Sequence, residues 1–179
     1  MPVSVSVSNV LRRASLCLVA VASVGGAQTP SVPEGPDWSG SWRGELQNFP
    51  ARPGAPRVEV RREVGAWPKG EGECSVFRTI YIEDGVEKGR KDYRLCRGAT
   101  DNEFVVDEGG GVELKARLLG GKLVSTFKYG SILLVGVTQV EGDKMVEEIY
   151  SGPDEPAGEA VVSLQTRNLQ RLTFRKVSE

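Results

Sequence analysis

VELKARLLGGKLVSTFKYGSILLVGVTQVEGDKMVEEIYS, residues 112–151, carries the pattern that decides the fold. Val112, Leu114, Ala116 and Leu118 fall on one face of an extended chain, and Glu113, Lys115 and Arg117 on the other. That period of two is the mark of a half-buried β-strand. Gly120 and Gly121 then turn the chain. Leu123, Ser125, Phe127 and Tyr129 next alternate with Lys122, Val124, Thr126 and Lys128. Gly130 precedes the β-branched run SILLVGVTQV at 131–140. The turn EGD at 141–143 leads into KMVEEIYS at 144–151. Four consecutive strands joined by tight turns describe an antiparallel meander.

The same pattern extends in both directions. Upstream it predicts strands near 40–48, 57–64, 74–82, 88–96 and 103–107, the last ended by GGG at 109–111. Downstream LQRLTFRKV, 169–177, reads as the final strand. No stretch sustains a helical period. The best helix candidate is DEPAGEAVVSLQ at 154–165, where Asp154 could cap and Pro156 falls in the first turn, although Gly158 opposes it. The expected fold is therefore all-β, an up-and-down meander of about 8–10 strands with at most one short helix. A meander of this length must protect its edges. Closing into a barrel removes them, and hairpin-only connectivity favours that solution over a two-sheet sandwich.

Residues 1–27 contain no acidic residue. Arg12 and Arg13 precede the apolar run ASLCLVAVASV, which is too short to span a bilayer. Gly25 and Ala27 supply small residues for a cut after Ala27. This is the form of a secretory signal peptide, and the Arg12-Arg13 pair faintly resembles a twin-arginine signal. Residues 28–36, QTPSVPEGP, read as a flexible Pro-rich lead-in, and 37–178 as the folded domain. The expectation is an exported protein, periplasmic or extracellular, with no stable membrane insertion once the signal is removed.

The cysteines agree. Removal of 1–27 takes Cys17 and leaves Cys74 and Cys96. They flank a hairpin whose Asp84-Gly85 is a strong turn signal. Folding about Gly85 sets residue 74 opposite 96, a register that needs a three-residue turn or a bulge. Opposed cross-strand Cβ atoms lie about 4.5–5.5 Å apart, close to disulfide geometry, so a Cys74–Cys96 bridge is predicted. The same register puts Arg78, Arg94 and Asp92 on one face of the hairpin. Phe77, Tyr81, Tyr93 and Leu95 share the other. Arginine is rarely buried without a partner, which favours the aromatic face as the inner one.

Composition closes several avenues. The chain has no histidine, so Ser-His-Asp and Cys-His catalysis and His-ligated metals are excluded. A formal charge of −1 gives no electrostatic case for nucleic acid. Two cysteines alone make no metal site. GGG is followed by no Lys-Ser, so it is not a phosphate loop. Acidic residues gather at Asp101, Glu103, Asp107 and Glu108 and again at Glu147-Glu148, positions expected to be solvated turns and edges rather than a catalytic pair. The reading is of a non-enzyme without cofactor or metal. Nothing in the sequence sets an oligomeric state.

The segment GSW at 40–42 resembles the Gly-x-Trp element that opens the first strand of lipocalins and related calycin barrels. The final strand carries Arg171 and Arg175, as the last strand of those barrels carries arginine. The resemblance covers roughly 37–178 and implies a lipocalin-like barrel. It implies that Trp42, with Trp38 beside it, plugs the closed end, and that Arg171 or Arg175 packs across the indole by cation–π attraction. Lipocalins have eight barrel strands and a long helix before the last strand. The strand count here is closer to that of the fatty-acid-binding barrels, which hold a carboxylate with an interior arginine. The resemblance implies a small hydrophobic ligand within the barrel, against the inward residues Phe77, Tyr81, Tyr93, Leu95, Leu114, Phe127 and Tyr129. The alternative is a structural or interaction protein of the cell envelope whose barrel is filled by its own side chains.

Overall fold

The computed structural model describes residues 36–155 and 165–178. The predicted signal peptide, nearly all of the Pro-rich lead-in and most of the 154–165 helix candidate lie outside the described residues. Among the described residues there is no helix. Ten strands follow one another: β1 (Gly40–Phe49), β2 (Val58–Val64), β3 (Cys74–Glu83), β4 (Val86–Arg97), β5 (Glu103–Gly109), β6 (Val112–Leu119), β7 (Lys122–Tyr129), β8 (Ile132–Glu141), β9 (Lys144–Pro153) and β10 (Asn168–Lys176). Each pairs antiparallel with its neighbour in sequence, and β1 also pairs with β10. The sheet is a closed barrel, which rules out the two-sheet sandwich.

Closure requires β1 and β10 to approach closely, and Gly44 permits it. A Cβ at Gly44 would lie 1.8 Å from the Thr173 carbonyl oxygen and 2.8 Å from the Phe174 Cα. No side chain fits there, so the glycine acts on the packing of β10 against β1.

The β3–β4 hairpin turns on Asp84 and Gly85, with φ of 50° and 75°. Both positive values match a two-residue turn whose twist suits the flanking strands. Glu83 faces Val86 and Ile82 faces Glu87, but Tyr81 faces Gly89. The register shift is a β-bulge, and it brings Cys74 opposite Cys96. The two are joined by a disulfide with an S–S distance of 2.02 Å. Of the two devices open to the sequence, the chain uses the bulge.

One end of the barrel is plugged. Trp38, Trp42, Trp67, Leu95, Phe104 and Phe174 belong to a continuous buried apolar cluster. Trp38 meets Trp67 edge-on with ring centroids 5.1 Å apart, and Trp67 meets Phe104 at 4.9 Å. Trp42 Nε1–H donates to the Trp38 carbonyl at 3.0 Å. An aromatic side chain of this kind buries roughly 150–250 Å², worth about 4–6 kcal/mol at ~25 cal/mol per Å². Trp67 comes from the β2–β3 loop, a contribution that strand periodicity does not announce.

The arginines expected over Trp42 lie elsewhere. The Lys176 ammonium stands 5.5 Å from the centroid of the indole. Lys176 is the register partner of Trp42, whereas Arg175 faces Arg43 and Arg171 faces Gln47. Leu172 and Phe174 are fully buried, which fixes the inward parity of β10. Arg171 and Arg175 share the outward parity. Arg171 bonds Glu148 at 2.8 Å and lies over Phe49, while Arg175 bonds Asp143 at 2.9 Å.

Candidate functional site

Above the plug the barrel interior opens into a cavity of about 100 Å³, measured as the space that the centre of a water molecule can reach. Its apolar wall includes Phe77, Tyr81, Tyr93, Leu114, Phe127 and Ile149. Five of these were expected inside from strand parity, and the barrel brings them together. Two others were not brought there. Leu95 is 1% exposed and belongs to the closed-end plug. Tyr129 is 80% exposed. It has the parity of Phe127 but is the last residue of β7 and lies at the open rim. The β6–β7 ladder ends at Ala116 and Ser125, so at Tyr129 β7 is paired on the β8 side but not on the β6 side.

The floor of the cavity is polar, and strand alternation alone left it unread. Arg62 points inward from β2 and is 4% exposed. Its Nε–H and Nη2–H donate to Thr79 Oγ1 at 3.0 and 2.8 Å. Nη2–H also donates to Glu147 Oε2 at 2.7 Å, reaching across the barrel from β2 to β9. The Thr138 hydroxyl lies 3.4 Å from the other Glu147 oxygen. The guanidinium carbon is 4.8 Å from the Phe77 ring centroid and 5.2 Å from that of Phe174. A charge this deeply buried is tolerated because it is paired, hydrogen-bonded and faced by aromatic rings. Its signal in the sequence is an arginine at the parity of Val58, Val60 and Val64.

Nearer the mouth, Lys91 stands opposite Thr79. Its ammonium lies 5.8 Å from the Tyr81 ring and 5.6 Å from the Tyr93 ring. The Tyr93 phenol and the Glu108 carboxylate both line the cavity. Burial, followed by the Glu108 carboxylate, pushes the Tyr93 phenol far above its ordinary range, so at neutral pH it remains a donor. The adjacent carboxylates Glu147 and Glu148 part company, as neighbours in a strand must. Glu147 faces Arg62 inside. Glu148 faces Arg171 outside. The acidic run at 101–108 divides likewise. Asp101, Glu103 and Asp107 pair with Arg97, Arg117 and Arg94 respectively, while Glu108 lines the cavity.

The outer surface accounts for the other hairpin face. Arg78 bridges Glu63, at 2.7 Å, and Asp92. The aromatic face of β3 and β4 is the inner one. A larger hollow of about 630 Å³ lies against β5, β6 and β7, lined by Val105, Lys115, Arg117, Leu119, Val124 and Thr126. These residues carry the outward parity of their strands, and the hollow is open to solvent. The smaller cavity is the better site, because it is walled by aromatic rings and floored by fixed polar groups. Among the described residues no three Cys, Asp or Glu side chains gather to hold a metal. No family model, curated protein or solved structure matches the chain.

Proposed function

We propose that the protein is an exported, lipocalin-like barrel that binds a small hydrophobic molecule in the mouth-side half of its interior. The observation that supports this most is the convergence of Phe77, Tyr81, Tyr93, Leu114 and Phe127, from four different strands, on one cavity. An apolar wall with a few placed polar groups is the usual form of a small-molecule site. The Trp42 plug fits the calycin pattern in position. The Lys176 cap departs from it in residue type. The disulfide supports export, since such bonds persist in oxidising compartments. The cavity carboxylate of Glu147 supports binding over catalysis. Glu147 is committed to Arg62.

One observation favours a second reading, a barrel that serves the envelope structurally. The cavity of about 100 Å³ is well below the ~300–1,000 Å³ of typical ligand pockets. Native mass spectrometry of the protein purified from its own host separates the two. A bound small mass that leaves on unfolding is the expected result. A single ligand-free mass in repeated preparations would point to the structural role.

A further inference from the structure

The cavity lining contains two residues that each leave a buried polar atom without a partner: Arg62 Nη1 and Ser125 Oγ. The rest of the guanidinium is fully engaged by Thr79 and Glu147. A buried donor without an acceptor is costly, and native interiors rarely leave one. Two such atoms on residues that line one cavity point to an occupant that accepts hydrogen bonds.

The charges around the cavity decide what kind of acceptor. Arg62 and Lys91 are matched by Glu108 and Glu147. The Glu147 carboxylate lies 2.7 Å from Arg62 Nη2. An incoming carboxylate would therefore meet a guanidinium already neutralised and two carboxylates on the same wall. A neutral oxygen meets no such opposition. The space of about 100 Å³ is of the order of the ~150 Å³ cavity that holds one benzene, so it suits one small ring and not a long acyl chain.

On the ligand-binding reading above, we infer that the cavity selects a small neutral molecule bearing a carbonyl oxygen. The oxygen accepts from Arg62 Nη1–H and the Ser125 hydroxyl. The apolar body lies against Phe77, Tyr93, Leu114 and Phe127. Recognition is thus by hydrogen bonding and shape, without net charge.

Calorimetric titration of the disulfide-intact protein with acetophenone, ethylbenzene and benzoate tests this. These probes share one ring and differ in their polar group. Acetophenone is expected to bind about tenfold more tightly than ethylbenzene, with benzoate no tighter than ethylbenzene. Ser125→Ala should reduce the acetophenone advantage to about threefold and leave ethylbenzene unchanged. Arg62→Lys keeps a cation for Glu147 but removes Nη1, and should likewise reduce the acetophenone advantage to about threefold; its melting temperature reports that it folds. Equal binding of acetophenone and ethylbenzene, or preference for benzoate, would overturn the carbonyl inference while leaving a ligand site in place. Failure of all three probes to bind at millimolar concentration would overturn both.

Discussion

Arg62 sits where the pattern of β2 asks for an apolar residue, and the barrel is built to keep it there. Thr79, Glu147, Phe77 and Phe174 converge on one guanidinium from three strands. Removing one partner of such a pair strands the other. Arg62→Met is expected to cost about 3 kcal/mol of stability, because Glu147 is left half-buried without its cation. The double variant Arg62→Met with Glu147→Met should recover most of that loss. Urea unfolding of the two variants checks it. If the double variant is as unstable as the single one, the pair stabilises the fold through packing rather than charge. The inward parity of Arg62 is legible in VEVRREV, residues 58–64. Its partner is not, because Glu147 lies 85 residues away. Pairing across a barrel interior depends on the stagger of strands that are not neighbours, and a local pattern carries no information on it.

At the scale of elements, the β3–β4 hairpin shows how far turn chemistry can be read. Asp84-Gly85 fixes the turn, and the cysteine spacing demands one extra residue. The chain places it in β4, as Lys88, opposite the Tyr81–Ile82 step. The disulfide closes a separation of 22 residues. Replacing Cys74 and Cys96 together by serine is expected to cost about 3 kcal/mol on the loop-entropy scale. Thermal unfolding should show a lower melting temperature with unchanged far-UV circular dichroism. Loss of the β-spectrum would mean that the bridge is required for folding. Strand β10 shows where resemblance misleads. Arginine was expected over Trp42, but alternation through Leu172 and Phe174 already assigns Lys176 to that place. Residue parity was the stronger guide there. Tyr129 shows the converse, since correct parity at the end of a strand still leaves a side chain at the rim.

Taken together, the described residues form a closed meander with one plugged end and one open end, wrapped in cross-strand ion pairs. Its closure was legible because period-two alternation and Gly or Asp turns recur along the chain, and ten strands leave no other economical way to protect two edges. The exposed ion pairs are each worth little, but their carboxylates make stability depend on pH. Arg94, then the Gly109 N–H, hold Asp107 below the ordinary aspartate range. The Tyr150 hydroxyl, then Arg171, do the same for Glu148. A carboxylate with a lowered folded pKa stabilises the protein above its unfolded value, and that contribution disappears as pH falls through the folded one. Melting temperature should hold steady near neutrality and decline from about pH 5 downward. A profile flat to pH 3 would show that these pairs contribute nothing. The most direct test of the interior site is the position of a bound probe. Intermolecular nuclear Overhauser contacts from the ring protons of acetophenone should reach the Phe77 and Phe127 rings and the Leu114 methyls. Contacts to the methyls of Val105, Leu119 and Val124 instead would place the ligand in the outer hollow and contradict an interior binding site.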